Sequence, residues 1–235
     1  MMKKNFFKNP NFYYYLFVSI AALELIASIL ILIFANDSRN NAISNIFLSV
    51  LAIVTLSFPK YLKDKYHIKF HNWIEILVLV FLFLAIILGF VQDFYVVIRG
   101  FDKLVHAISG VVIALVALQG VNIYTSYIEN KKAQSIPATF RIFFALTFSI
   151  SLLVLWEFYE FFVDLVTYHL SVNPTNMQRY QWVSNSSFFP QDYGLQDTML
   201  DLLLGAAGSV VVSITAYIFL RRAEKRQNLK QESIE

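Results

Sequence analysis

Between Trp73 and Val91 the chain reads WIEILVLVFLFLAIILGFV, an apolar stretch interrupted only by Glu75. A helix of about 20 apolar residues crosses the roughly 30 Å hydrocarbon core of a bilayer, so this stretch predicts a membrane span. Four other stretches are comparably apolar and long, at residues 12–34, 102–124, 143–166 and 198–220. Residues 42–58 form a sixth and weaker candidate, because this stretch is shorter and contains polar residues.

The overall composition agrees with a membrane protein. Hydrophobic residues make up 57% of the 235 residues and charged residues 15%, with a mean hydropathy of +0.57, whereas soluble domains are about a quarter charged. The chain contains no cysteine, which excludes disulfides, thiolate metal sites and cysteine nucleophiles. We therefore predict an all-α fold, a polytopic transmembrane bundle of six helices that forms one domain over residues 1–235 in the lipid bilayer of the cell membrane.

The basic residues indicate the orientation of this bundle. With six spans and the N-terminus in the cytoplasm, 15 of the 19 Lys and Arg fall on the inner side. Cytoplasmic loops are enriched in these residues, and omitting the span at 42–58 would put basic loops on both sides. We therefore predict that both termini are cytoplasmic. The basic tail at 221–230 is expected to lie at the inner leaflet, and nucleic acid is not an expected partner.

Acidic residues are concentrated toward the opposite, outer side. Three predicted helices carry polar residues three or four positions apart near their outer ends, which puts each set on one helical face. The sets are Asp102 with His106, Glu157 with Glu160 and Asp164, and Asp197 with Asp201. Gly110 and Gly205 follow one turn deeper on two of these faces, and small residues let membrane helices approach closely. We expect the three faces to meet in one pocket.

These carboxylates need compensating positive charge. Two ionised carboxylates about 5 Å apart repel by about 3 kcal/mol at an effective dielectric constant of about 20. Arg99 is a candidate to neutralise Asp102, whereas Lys103 is predicted to lie on the wrong face for it. Either the acids share protons and hydrogen bonds, or a divalent metal ion supplies the charge. We favour a metal site formed by all seven residues of the three sets, and oxygen ligands with one imidazole suit Mn²⁺, Mg²⁺, Ca²⁺, Fe²⁺ or Zn²⁺.

Three motifs follow one another within residues 100–210. They are Phe101-Asp-Lys-Leu-Val-His106, Trp156-Glu-Phe-Tyr-Glu160 with Asp164, and Gln196-Asp-Thr-Met-Leu-Asp201 followed by Gly205-Ala-Ala-Gly208. Together they resemble the YjdF-like family of uncharacterised bacterial inner-membrane proteins, and more distantly the VanZ-like family, which includes a glycopeptide-resistance protein. The chain departs from the VanZ pattern at Glu160, where that family has Gln, and at Gly205, where it has Asn. The resemblance implies a polytopic envelope protein with a polar centre inside the membrane.

Several functions fit these residues. In the first, the protein is a metal-dependent hydrolase or transferase acting on a lipid or envelope substrate from outside, with Glu157 or Glu160 as general base and His106 as ligand or base. In the second, the acids form the outer end of a cation or proton pathway. In a third, the protein is a scaffold or resistance factor that holds metal only for stability. The outer connection at 167–196 is unusually long, and loops of this length commonly cover a site.

Overall fold

The computed structural model describes residues 8–35, 39–68, 70–130, 136–170, 177 and 193–232. Every regular element within these ranges is helical. The helices are α1 (Pro10–Phe34), α2 (Arg39–Tyr66), α3 (Asn72–Leu82), α4 (Phe94–Val97), α5 (Phe101–Asn130), α6 (Ala138–Leu170) and α7 (Tyr193–Glu232), and a π-helical segment, Phe83–Val91, continues α3. The predicted all-α fold is confirmed.

Among the described residues, six helices are long and apolar enough to cross a membrane, as predicted. The weakest candidate, residues 42–58, lies within the 28-residue helix α2. Of its polar residues, Thr55 is satisfied within the helix, because its Oγ1 donates to the Leu51 carbonyl at 2.9 Å. The chain is therefore an all-helical membrane protein, whereas the cytoplasmic location of its termini stays a prediction.

The chain divides into two compact units, residues 1–105 and 106–235. In the first unit, α1, α2, α3 and the π-helical segment pack through their side chains. Ala21, Ala52 and Ile87 are fully buried in one cluster, and the rings of Phe17 and Phe83 stack with centroids 4.3 Å apart. Small residues at the contacts and aromatic rings between them give this unit an apolar core.

Two acids within the spans of the first unit each contact a side chain from another part of the chain. Glu75 in α3 is buried, and its Oε2 lies 3.0 Å from Lys63 Nζ in α2. Glu24 in α1 accepts a hydrogen bond of 2.7 Å from the side-chain amide of Gln92, directly after the π-helical segment. These acids are thus satisfied by one cation and one amide.

In the second unit, the helices approach one another at the level of the backbone. A Cβ atom on Gly110 in α5 would overlap the carbonyl oxygen of Gly205 in α7, so glycine is required for this approach. The hydroxyl groups of Ser149 in α6 and Ser209 in α7 lie 2.7 Å apart, and they donate to the Gly110 carbonyl oxygen at 3.3 and 3.2 Å. This glycine–serine layer (Gly110, Ser149, Gly205, Ser209) joins the three helices.

Candidate metal centre

The imidazole of His106 lies at the centre of the candidate site. Its Nδ1 is 3.8 Å from Glu157 Oε1, and its Nε2 is 4.0 Å from Glu160 Oε1 and 3.9 Å from Asp201 Oδ1. All four side chains are buried. The residues come from three helices, since His106 belongs to α5, the two glutamates to α6 and Asp201 to α7. We call these four residues the His106 cluster.

Helix spacing and the glycine–serine layer together bring the His106 cluster into place. Gly110 follows His106 by four residues on α5, and Gly205 follows Asp201 by four on α7. Because the α5 and α7 backbones touch at these glycines, the side chains one turn away are brought close. On α6, Glu157 and Glu160 are three residues apart and therefore share a face. The close approach lies about 6 Å along the helices from the His106 cluster, at 1.5 Å per residue.

The distances from the His106 imidazole to the three carboxylates, 3.8–4.0 Å, are longer than a hydrogen bond and close to the spacing of atoms that share a cation. An N–H···O bond measures about 2.7–3.2 Å, whereas two atoms that share a cation at about 2.0–2.2 Å lie roughly 3–4 Å from each other. The facing ligand atoms of His106, Glu157 and Glu160 all lie within 4.8 Å of one another. This arrangement can hold a cation after a small contraction.

Two further predicted ligands, Asp102 and Asp197, are buried one turn before His106 and Asp201 on their own helices. The predicted position of Lys103 is wrong. Its Nζ lies 2.9 Å from Asp102 Oδ2, and both side chains are buried. Consecutive residues diverge by about 100° around a helix, but a lysine side chain is long enough to fold back along the surface to its neighbour. The charge of Asp102 is thus compensated locally.

Asp164 contacts the outer connection. Its Oδ1 accepts a hydrogen bond of 2.9 Å from the backbone N–H of Met177, a buried residue of the outer connection. Asp164 itself is only half-buried.

The outer connection is shorter than the predicted 167–196, because α6 continues to Leu170 and α7 begins at Tyr193. Apart from Met177, its remaining residues lie outside the described part of the chain. The assignment of all seven residues as metal ligands stays a prediction.

A family model described as "Predicted membrane protein (DUF2238)" matches residues 17–222. The chain belongs to the DUF2238 family. This is the YjdF-like family that the three motifs resemble, so that interpretation is confirmed. No curated protein and no solved structure matches the chain. The more distant similarity to the VanZ-like family stays a prediction.

The sequence interpretation missed the contact of Trp156 with the His106 cluster. The motif Trp156-Glu-Phe-Tyr-Glu160 of this DUF2238 protein suggests an aromatic residue that packs against lipid or a neighbouring helix. In the structure the indole N–H of Trp156 donates to Glu160 Oε1 at 2.7 Å. The signal that reveals this bond is the spacing of four residues, which places a donor and a carboxylate on one helical face.

Proposed function

We propose that this DUF2238 protein binds one divalent metal ion in the His106 cluster and uses it to activate water for hydrolysis or group transfer on a lipid or lipid-linked substrate. The observation that carries the proposal is the convergence of three buried carboxylates, from two helices, on one buried imidazole of a third helix. Ionisable residues inside membrane spans are costly, and they commonly mark functional sites.

The charge of the His106 cluster supports a bound cation. Glu157, Glu160 and Asp201 carry up to three negative charges. The sequence has no Lys or Arg between Arg141 and Arg179, and none between residues 193 and 220, while Lys103 on α5 lies 2.9 Å from Asp102. Moving ionised carboxylates out of water costs several kcal/mol each, on the order of the insertion penalties of membrane spans, unless a cation or a proton compensates them. A divalent ion compensates two of the three charges.

The donor atoms favour a first-row transition metal. Magnesium and calcium prefer shells made only of oxygen, whereas imidazole nitrogen together with carboxylate oxygen suits Mn²⁺, Fe²⁺ and Zn²⁺. The cluster offers one nitrogen and up to three carboxylates, without sulfur. We propose that Mn²⁺ or a related ion binds more tightly than Mg²⁺ or Ca²⁺.

The two nitrogens of His106 suggest different roles for the carboxylates. Nε2 faces Glu160 and Asp201, and we propose these three residues as ligands once the two carboxylates draw together around the ion. Nδ1 faces Glu157, and closure of that 3.8 Å gap on metal binding would fix the ring with Nε2 free for the metal. A bound ion would supply a water of lowered pKa, and Glu157, which lies outside the proposed ligand set, would be the base that receives the proton.

The distribution of arginines in the second unit supports an outward-facing site. Arg141 lies in the first turn of α6, where it donates to the Asn122 side chain at 2.9 Å. Arg221 and Arg222 are exposed and lie in the C-terminal half of α7. The His106 cluster lies toward the opposite ends of both helices. Under the positive-inside rule the arginines mark the cytoplasmic end, so we propose that substrate approaches from the outer leaflet.

Transport is the weaker alternative because of the packing beneath the His106 cluster. One turn away, the backbones of α5 and α7 touch at Gly110 and Gly205, and the hydroxyls of Ser149 and Ser209 fill the contact with α6. A cation that entered the cluster would meet this close contact between helices. The arrangement favours chemistry at one face over passage between these three helices.

The metal-binding part of the proposal is tested on purified full-length protein in detergent. After chelation and reloading with Mn²⁺ or Zn²⁺, we expect about one ion per chain and a higher thermal unfolding temperature, since a ligand at 100 times its Kd stabilises by about 2.7 kcal/mol. H106A, E160Q and D201N should each lose the ion, whereas E129Q, at an exposed acid near the end of α5, should retain it. Failure of every divalent ion to bind wild-type protein would overturn the proposal.

The catalytic part needs a separate test. Protein reconstituted into vesicles of bacterial lipid extract is incubated with and without Mn²⁺, and the lipids are compared by mass spectrometry. We expect a metal-dependent product that is absent with E157Q. Metal binding without any lipid change would leave a structural metal site and would contradict the enzymatic assignment.

A further inference from the structure

We propose that Trp156 is a positioning residue, whose indole N–H holds the Glu160 carboxylate in the orientation that receives the metal ion. This inference rests on the metal site proposed above. The indole Nε1 lies 2.7 Å from Glu160 Oε1. Trp156 is 40% exposed while Glu160 is 3% exposed, so the bond connects the outer surface of α6 to the buried cluster.

The bond selects one carboxylate oxygen. An indole nitrogen can only donate, so Glu160 is the acceptor. The accepting oxygen, Oε1, is the same atom that lies 4.0 Å from His106 Nε2. A carboxylate oxygen has two lone-pair directions and can accept an N–H bond with one while it binds a cation with the other. Trp156 therefore fixes the oxygen that faces the imidazole.

The indole ring is held by its neighbours. Trp156 and Glu160 are four residues apart on α6, so the two side chains lie on the same helical face. The ring of Tyr159 packs against the indole with centroids 5.1 Å apart at an angle of 39°. The donor is thus part of a packed aromatic pair at the protein surface, which limits the rotation of the indole.

A fixed carboxylate matters because glutamate is flexible. Its side chain has three rotatable bonds, and a metal must select the one rotamer that points to the site. Groups that hydrogen-bond to a metal ligand and orient it raise metal affinity, and their loss typically lowers the affinity by about 10–100-fold. We expect a loss of this size when the indole N–H is removed.

The test is a Mn²⁺ titration of the full chain in detergent. W156F keeps an aromatic ring but has no donor, and W156Q keeps an N–H donor but has no ring. W73F is the matched control, because Trp73 is a similarly exposed tryptophan (56%) at the start of α3. We expect W156F to raise the Kd for Mn²⁺ by about 10–100-fold, W156Q to recover part of this loss, and W73F to match wild type.

The outcomes separate this inference from the proposed function. If wild-type protein binds Mn²⁺, E160Q does not, and W156F binds as wild type, the positioning role is wrong while the metal site stands. If W156F and W156Q lose affinity equally, the ring and not the N–H is responsible, and the inference is again wrong. If wild-type protein binds no Mn²⁺ or other divalent ion, both proposals fall together.

A fluorescence measurement covers the case in which the Trp156 variants do not fold. The variant W73F/W182F leaves Trp156 as the sole tryptophan with its N–H intact. Paramagnetic Mn²⁺ quenches a nearby indole, so we expect saturable quenching with the Kd found by titration, and no quenching when E160Q is added to this background. Unchanged Trp156 emission at saturating, bound Mn²⁺ would contradict the proposal.

Discussion

The two compact units pair their acids in different ways. In residues 1–105, Glu75 lies 3.0 Å from Lys63 and Glu24 accepts from Gln92. In residues 106–235, three carboxylates converge on the single imidazole of His106. When a single cation or amide pairs with a single acid, the pair stabilises a contact between helices. Three acids around one imidazole concentrate negative charge, which is the arrangement expected of a cation-binding site.

The units also differ in how their helices touch. The first unit uses side chains, with Ala21, Ala52 and stacked rings between helices. The second brings the α5 and α7 backbones into contact at Gly110 and Gly205. Close backbone approach leaves less freedom for the helices to shift, which suits a cluster whose three carboxylates must stay within about 4 Å of the imidazole.

The largest effect is expected when the backbone contact of the second unit is broken. In G110A the new methyl group meets the Gly205 carbonyl, which is backbone and cannot rotate away. We expect a loss of about 3 kcal/mol or more in the free energy of unfolding, at or above the upper end of the roughly 1–3 kcal/mol typical of overpacking. Thermal unfolding in detergent measures it.

G120A is the matched control for this substitution. Gly120 lies on the same helix, and a Cβ there has no atom within 4 Å. Because alanine favours the helix over glycine by about 0.5–1 kcal/mol, G120A should be neutral or stabilising. Equal losses in both variants would show that helix propensity and not backbone contact determines the effect.

The next effect contrasts the same substitution in the two units. E75Q removes the partner of Lys63 and should lower the free energy of unfolding by about 1–2 kcal/mol, between the values for surface and buried ion pairs. E157Q removes one charge from ligand atoms that lie within 4.8 Å of one another, so the metal-free protein should become more stable. The measurement is the unfolding temperature in excess chelator. If the unfolding temperature falls in both E75Q and E157Q, the paired acid of the first unit and the clustered acids of the second do not differ as expected.

The smallest effect concerns the hydroxyls of the glycine–serine layer. Ser209 Oγ contacts Ser149 Oγ and the carbonyl oxygens of Gly110 and Gly205, so S209A should cost about 0.5–1.5 kcal/mol. S213A is the control, because that hydroxyl bonds to the carbonyl of Ser209 on its own helix, and it should change stability little. The free energy of unfolding is measured for both variants. If S209A and S213A lose the same amount, the hydroxyls of the glycine–serine layer do not join the helices.

The architecture of the chain is largely predictable from its sequence. Long apolar stretches determine six helices, and the spacing of three or four residues places Glu157 with Glu160 on one face of α6. The positions of Gly110 and Gly205, each one turn from a polar residue, predict close approach of α5 and α7. These features depend on local periodicity, which the sequence records directly.

The partners of individual polar groups are less predictable, because they depend on side-chain length and rotamer. Lys103 reaches back to the adjacent Asp102, although consecutive residues point to different faces. Asp164 has the spacing of a ligand but accepts a hydrogen bond from Met177, thirteen residues later. Trp156 reads as a residue that packs against lipid or a neighbouring helix, and that reading gives no sign that its N–H donates to Glu160. Periodicity determines a face of a helix, whereas these contacts depend on the reach of each side chain.

The π-helical segment Phe83–Val91 affects how the third span should be aligned among relatives. Its bonds join residues five apart, as in the 2.9 Å bond from the Gln92 N–H to the Ile87 carbonyl, so it holds more residues per turn than an α-helix. A relative one residue shorter between 83 and 91 can cross the same thickness with ordinary α-helical bonding. The residue after its span would then point in another direction around the axis, and the amide that meets Glu24 would be displaced. A relative that lacks one residue here is therefore expected to differ in helix winding and in the neighbour of Glu24.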